Sequence, residues 1–351
     1  MRLAVRADAG DALGTGHLMR CRAVSARLGM DSPGTVLVTA SLPERLLPTV
    51  QAWGWTVREI GSLPVAEDAA ATRAILDQDA SITAVLVDHY DLDGAWERGL
   101  RTPGRLVIVL DDLADRPHDC DVLISPSPGG AEEPLPSPDA GRPTTFRGPR
   151  YAPLDPAYDE IRPRTRTGAV DHLLVFLGGA TDGSDLLPLI DALAGSDVGI
   201  DQTTIVLGHA FTNRDQVHSR VATLPRVRVI DSVASMIPVL LTADLAIGAP
   251  GGAQWERCAA GLPTLTALTH PNQRHDCLAF ESAGATRHLG DLQDMTMPRW
   301  QEALLHATGD PASLAAMSTR AAELVARREE AWSTARDNLR SMLSAAPGGQ
   351  S

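Results

Sequence analysis

LAIGAPGGAQWERCAAGLPTL, residues Leu245 to Leu265, reads as a strand, a glycine loop from Gly248 to Gly252, a helix that stops at Gly261, and a second strand after Pro263. A strand, tight loop, helix and strand in that order form the unit from which parallel α/β sheets are built. The loop offers bare backbone amides at the start of a helix, a surface suited to a diphosphate held without lysine or metal. Gly251 and Gly252 are therefore candidate nucleotide-binding residues. Glu256, about one helical turn in, is placed to reach a diol such as a ribose, or else pairs with Arg257 on the surface. In THPNQRHD, which follows the next strand, Asn272 and Gln273 are expected to face the same ligand.

The same grammar recurs outward from this stretch. LLVFLGGATD, Leu173 to Asp182, ends a strand in a second glycine turn at Gly178 and Gly179. Near the start, RADAGDALGTGHLMRCRAVSARLG runs from Arg6 to Gly29. There Gly14, Thr15, Gly16 and His17 open an amphipathic helix whose inner side carries Leu18, Cys21, Val24 and Leu28. Met19 stands where a dinucleotide fingerprint needs its third glycine or alanine, which argues against NAD. His17 sits in the first turn, where the positive end of the helix dipole favours a neutral imidazole able to accept a proton. It is the candidate general base. Arg20, one turn on, has two candidate partners, a phosphate or Asp8.

Across the chain, short β-rich runs alternate with amphipathic stretches. In the first half the predicted strands are Leu3–Ala7, Thr35–Thr39, Ala84–Asp88, Arg105–Leu110 and Val122–Ile124. In the second they are His172–Leu177, Thr203–Leu207, Val227–Ile230, Leu245–Gly248, Thr264–Ala267 and Arg287–Leu289. Ser125–Pro143 is too rich in proline, glycine and serine for a regular element and reads as a surface loop. Arg147–Gly168 reads as the interdomain connection. Two Rossmann-like α/β domains follow, residues 1–155 and 156–340, with the carboxyl ends of their strands expected to line a cleft. The helical text after Met297 reads as a surface or domain-bridging helix, and the tail APGGQS as frayed.

Composition narrows the function. The chain has 351 residues, which a prior of roughly 150 per domain divides in two. Its net charge of −13 and 4% aromatic content disfavour a nucleic-acid or membrane partner, so any phosphate site must be local. No lysine occurs anywhere, which removes Schiff-base and P-loop chemistry. The four cysteines are far apart, with neither zinc nor redox spacing, and read as reduced structural thiols. No signal peptide or apolar span is visible, so the expected location is cytoplasmic. Polar residues also cluster at two strand ends, Asp88, His89, Tyr90 and Asp91 in VLVDHYDLDGAWE, and Asp111, Asp112, Arg116 and His118 in VLDDLADRPHDCD. Tyr90 and His89 are candidates to touch substrate. A metal held by His89, Asp112, His118 and Cys120 has no supporting spacing, and neither metal nor cofactor is expected.

These segments resemble the nucleotide-sugar hydrolase family of pseudaminic acid biosynthesis, which removes UDP from UDP-2,4-diacetamido-2,4,6-trideoxy-β-L-altropyranose. The resemblance rests on RADAG…GTGHLMRC, VDHYDLD…WE, LDDLADRPHDCD, GPRYAPL, FLGGATD, GAPGGAQWERCAAGLPTL and NQ, spread in order over about residues 1 to 280. It implies the GT-B architecture and a UDP-sugar substrate. It makes His17 the base that activates water, puts Tyr90 in the sugar pocket, and assigns Glu256 and Asn272 to the UDP site. Read from the loops themselves, Gly14, Gly16 and Arg20 are further candidates for binding substrate, with Asn272, and Gly178, Gly179, Gly251 and Gly252 for binding the nucleotide. Pro250 and Gln254 depart from the family's loop, where a serine and a small hydroxyl residue are usual. The alternative is a glycosyltransferase of the same lineage, passing the sugar to a nucleobase such as cytosine or to a small alcohol. A monomer is the default for this architecture.

Overall fold

The computed structural model describes residues 2–10, 14–129, 143–178, 182–195, 198–208, 211–231, 233 and 235–345. The chain divides into two compact units, one formed by Met1–Pro156 with Arg327–Ser351 and the other by Ala157–Ala326. Most of the Ser125–Pro143 loop and the tail APGGQS lie outside the described residues.

The first unit holds a seven-stranded sheet built from β1 (Arg2–Ala7), β2 (Val36–Thr39), β3 (Thr56–Glu59), β4 (Ile82–Asp88), β5 (Leu106–Leu110), β6 (Val122–Ser125) and β7 (Thr144–Arg147). Their spatial order is β3-β2-β1-β4-β5-β6-β7, and every pairing is parallel. Such a sheet is buried on both faces, which is why Leu106–Leu110 is apolar and buried throughout. Leu3, Val5 and Ala7 enter one core cluster, while Ala4 enters the other.

Two of these strands, β3 and β7, are absent from the expected list. They are the two edges of the sheet, their sequences TVRE and TTFR are largely polar, and Phe146 is the one residue of the two strands that is buried. An edge strand needs little apolar surface, so its sequence signal is weak. β7 falls between the segments read as a surface loop and a linker.

The second unit carries β8 (His172–Phe176), β9 (Gln202–Val206), β10 (Val227–Ile230), β11 (Leu245–Gly248), β12 (Thr264–Leu268) and β13 (Thr286–Asp291). Their order is β10-β9-β8-β11-β12-β13, again all parallel. In each sheet the strand order reverses once, between β1 and β4 in the first and between β8 and β11 in the second. Chain connections leave such a switch point in opposite directions and open a crevice at the carboxyl ends of the strands.

The last helix corrects the expected boundary. Arg328–Ala345 belongs to the first unit, where Ala331, Trp332, Ala335 and Leu339 enter its core, and not to a second domain reaching residue 340. The helix before it, Pro311–Leu324, packs into the second unit through Leu314, and the two are separated at Arg327, whose φ is +58°. The apolar stripe of the last helix says only that it is buried somewhere; its partner is Tyr151, whose ring meets Trp332 edge-on at 5.7 Å. Trp332→Ala is expected to destabilise the first unit by about 3–5 kcal/mol in denaturant titration. Trp332→Phe should cost far less, because the indole Nε1 is buried without a hydrogen-bond partner. Among the described residues no helix is long and apolar enough to cross a membrane.

Candidate active site

The crevice between β1 and β4 assembles one group of polar side chains. The helix Gly16–Arg27 follows β1 and presents His17 in its first turn, while Asp88 is the last residue of β4. His17 Nδ1 lies 2.7 Å from Asp88 Oδ1. Arg20, one turn along on the same helix face, donates from Nη2 to that oxygen at 2.6 Å and from Nε to Oδ2 at 3.0 Å. Its Nη1 bonds Asp112 Oδ2. All four side chains are buried.

Burial works against a charge on Asp88, but the nearby Arg20 and then His17 more than offset it and hold the carboxyl well below the usual carboxylate range. An ionised carboxylate only accepts hydrogen bonds, so His17 Nδ1 is the donor. In the neutral ring that leaves the lone pair on Nε2, the tautomer a general base requires. Tyr90 meets the imidazole nearly edge-on, with ring centroids 4.6 Å apart at 73°. Gly14, at φ +71°, exchanges backbone hydrogen bonds of 2.7 and 3.1 Å with Gly10. At Gly16 an added Cβ would meet nothing within 4 Å, so the approach over the helix start is open. The Cys21 thiol is pushed well up by burial and by Asp88, which keeps it protonated and inert.

Arg20 pairs with Asp88 and Asp112 and not with Asp8, the protein partner its sequence position offers. Asp8 is occupied by Arg6 at 2.6 Å and by His89 Nε2 at 3.0 Å. His89 also accepts from the Asp91 amide at Nδ1, so both ring nitrogens serve the loop and its expected contact with substrate is not supported. Three of the residues weighed and set aside as metal ligands have protein partners: His89 bonds Asp8, Asp112 bonds Arg20, and His118 bonds Glu97.

His118 belongs to a separate buried brace. Its Nδ1 is 2.6 Å from Glu97 and its Nε2 is 3.5 Å from Asp111, which Arg116 also pairs at 3.2 Å. Burial opposes the imidazolium, yet Asp111 and Glu97 prevail and push His118 up to about 9. Because this value exceeds that of an unfolded histidine, the stabilisation is complete below about pH 6.5 and is lost as pH rises through about 9. Roughly 3 kcal/mol is expected to disappear over that window. Urea titrations at pH 6 and 9.5 should show the loss in the wild type and a much smaller one in His118→Gln.

In the second unit the corresponding crevice lies between β8 and β11. Gly178 follows β8 at φ +100°, and Gly179 lies outside the described residues. Asp182 caps the turn Gly183–Leu186, accepting from Asn213, Ser184 and Thr212 with side-chain bonds of 2.7 Å each, and these bonds hold it well below the usual carboxylate range. β11 runs into Gly248, and Gly251 and Gly252 precede the helix Ala253–Ala259. An added Cβ at Gly252 would meet nothing within 4 Å, and one at Gly251 only Gln273 Nε2 at 3.6 Å. Glu256 is half-buried, and Asn272 is exposed in the turn Pro271–Gln273 that follows the neighbouring strand β12. The fold therefore gathers Gly178, Gly251, Gly252, Glu256 and Asn272 at one end of one sheet.

Sequence reasoning missed what lies beneath this loop. Arg257 does not pair with Glu256; it turns under Gly248 and Ala249, where Gln254 Oε1 accepts from its Nε at 3.0 Å and Nη2 at 2.8 Å. That explains Gln254, a residue of unexpected size for the loop. The i, i+3 spacing of Gln254 and Arg257 was the available signal.

No protein-family model matches the chain. It is 28% identical over 153 residues to the spore coat polysaccharide biosynthesis protein SpsG of Bacillus subtilis strain 168, a match spanning 43% of this chain and 45% of that protein. Among solved structures it is similar to LpCGTa in complex with UDP, with a TM-score of 0.67, 14% identity, and coverage of 98% and 99% of the two chains. The calicheamicin glycosyltransferase CalG4 gives 0.61, with 15% identity and 99% of each chain covered. Two doubly wound parallel sheets matched over whole chains decide the architecture. The chain has a GT-B fold. In GT-B terms, the His17 group sits at the switch point of the first Rossmann-like unit and the glycine loop at that of the second.

Proposed function

We propose that this GT-B protein is a nucleotide-sugar hydrolase that cleaves UDP from a UDP-activated hexose of the diacetamido-trideoxy class. The observation that carries the reading is the buried contact between His17 and an ionised Asp88, a base oriented by a carboxylate. In this mechanism His17 Nε2 takes a proton from water as the water oxygen bonds to the anomeric carbon. The bond from that carbon to the diphosphate breaks, and its electron pair leaves with UDP. UDP is already a good leaving group, so no second carboxylate acting as acid is needed. The amides around Gly251 and Gly252 hold the diphosphate, Glu256 and Asn272 serve the nucleoside, and Tyr90 lies on the sugar side.

A second reading, transfer of the sugar to a small acceptor, uses the same base and leaving group. It is favoured by the similarity to a calicheamicin glycosyltransferase and to a polysaccharide biosynthesis protein. The test is UDP release from a panel of UDP-sugars, including the diacetamido-altrose compound, in ¹⁸O-labelled water without acceptor. Label on the anomeric oxygen of the released sugar supports hydrolysis. Absence of release from a protein that UDP stabilises thermally rejects hydrolysis in favour of transfer.

A further inference from the structure

Arg257 is a buried cation that no carboxylate among the described residues contacts. It is 1% exposed, and its hydrogen bonds go to neutral oxygens, Gln254 Oε1 and the Ala249 carbonyl, the latter at 2.5 Å. Glu256, its neighbour, acts on it only through space. Burying a charge is costly unless an opposite charge or a favourable dipole compensates it.

Arg166 shows what compensation looks like in the same unit. Also buried and without a carboxylate contact among the described residues, it donates to the carbonyls of Leu240, Ala243, Ala260 and Gly261 at the carboxyl ends of the helices Ile237–Thr242 and Ala253–Ala259. A cation is stabilised there by the negative ends of both helix dipoles. Arg257 does the reverse. It folds back toward the amino end of its own helix, where the field of the free amides adds to its own. Burial lowers the proton affinity of Arg257 to about 10, and burial with the nearby Arg164 brings Arg166 to about 10 as well, so both stay charged at neutral pH and the contrast lies in the groups each one bonds.

The position of this charge is fixed by the glycine loop. A Cβ at Gly248 would fall 2.4 Å from Arg257 Nη1, so the guanidinium lies directly against the loop backbone. The open space at Gly252 is a few residues along the same loop. We infer that Arg257 is the built-in counter-charge for an anionic group seated on Gly248–Gly252, selecting a nucleoside diphosphate over a neutral nucleoside through the loop without touching it. The inference rests on the diphosphate reading of this loop given above. Arg257 is thus a positioning charge, and Gln254, a neutral acceptor, leaves that charge unneutralised for the ligand.

The decisive variant is Gln254→Glu, nearly isosteric, which puts a carboxylate on the guanidinium. Calorimetric binding of UDP, inorganic pyrophosphate and uridine is compared with ligand-free melting. The expected result is a higher ligand-free Tm, UDP and pyrophosphate affinities lower by about tenfold or more, and uridine affinity within about twofold of wild type. Arg257→Met should lose the same anion preference and Arg257→Lys should keep most of it. Equal weakening of UDP and uridine, or weakening of neither, overturns the inference. A ligand-free Tm that falls in Gln254→Glu also overturns it, because Arg257 would then already be compensated within the protein. Failure of the wild type to bind both UDP and pyrophosphate is a different result; it rejects the diphosphate reading of the loop, and the inference falls with it.

Discussion

His17→Asn lowers kcat by about 10²–10⁴-fold while leaving UDP affinity within about twofold of wild type. The size follows from what general-base catalysis supplies when its base is positioned in advance. His17 is positioned on two sides, by the 2.7 Å contact to Asp88 and by the edge of Tyr90. Asparagine fills similar space and can still bond Asp88, so the local packing survives while the proton acceptor is gone. UDP affinity is the control, since the proposed nucleotide residues all belong to the second unit. Single-turnover measurement of UDP release together with UDP titration separates the two effects. Turnover within a few-fold of wild type would remove His17 from the chemistry.

Asp88→Asn is expected to reduce kcat by roughly 10²–10³-fold, again with little change in nucleotide binding. Two causes add. The amide no longer dictates that Nδ1 carries the proton, so the productive tautomer is no longer enforced. Arg20 also loses one of the two carboxylates that neutralise it, and its guanidinium, 3.5 Å from His17 Nδ1, then opposes the positive charge His17 must acquire. Nitrogen NMR of the labelled imidazole reads the tautomer directly. An unchanged ring spectrum together with unchanged turnover would show that Asp88 orients nothing. Removing a buried partner of Arg20 also costs stability, so the kinetics must be read at a temperature where the variant is fully folded.

Legibility in the sequence followed range. The glycine turns, the start of the helix at Gly16 and the buried strands were readable because backbone freedom and apolar runs are properties of adjacent residues. Asp88 and Asp112 are legible as polar residues at strand ends, but their joint hold on Arg20 is not, since its sequence position offers only a phosphate or Asp8. The edge strands β3 and β7 escaped because solvent covers them in part. Arg257 escaped because an arginine beside a glutamate on a short helix reads as a surface pair.

The sequence by itself therefore determined two runs of parallel βαβ units, a glycine loop behind the first strand of each run, and a histidine at the first helix start. Only the tertiary structure decided strand order, and with it the site. His17 and Asp88 are 71 positions apart and Arg20 and Asp112 are 92 apart, and they meet because β4 packs beside β1 and β5 beside β4. The last helix returns to the first unit for the same reason: its apolar stripe specifies burial, while the matching surface around Tyr151 exists only once the sheet has formed. Local chemistry is written in neighbours along the chain, whereas pairing between distant segments is a property of the packed core.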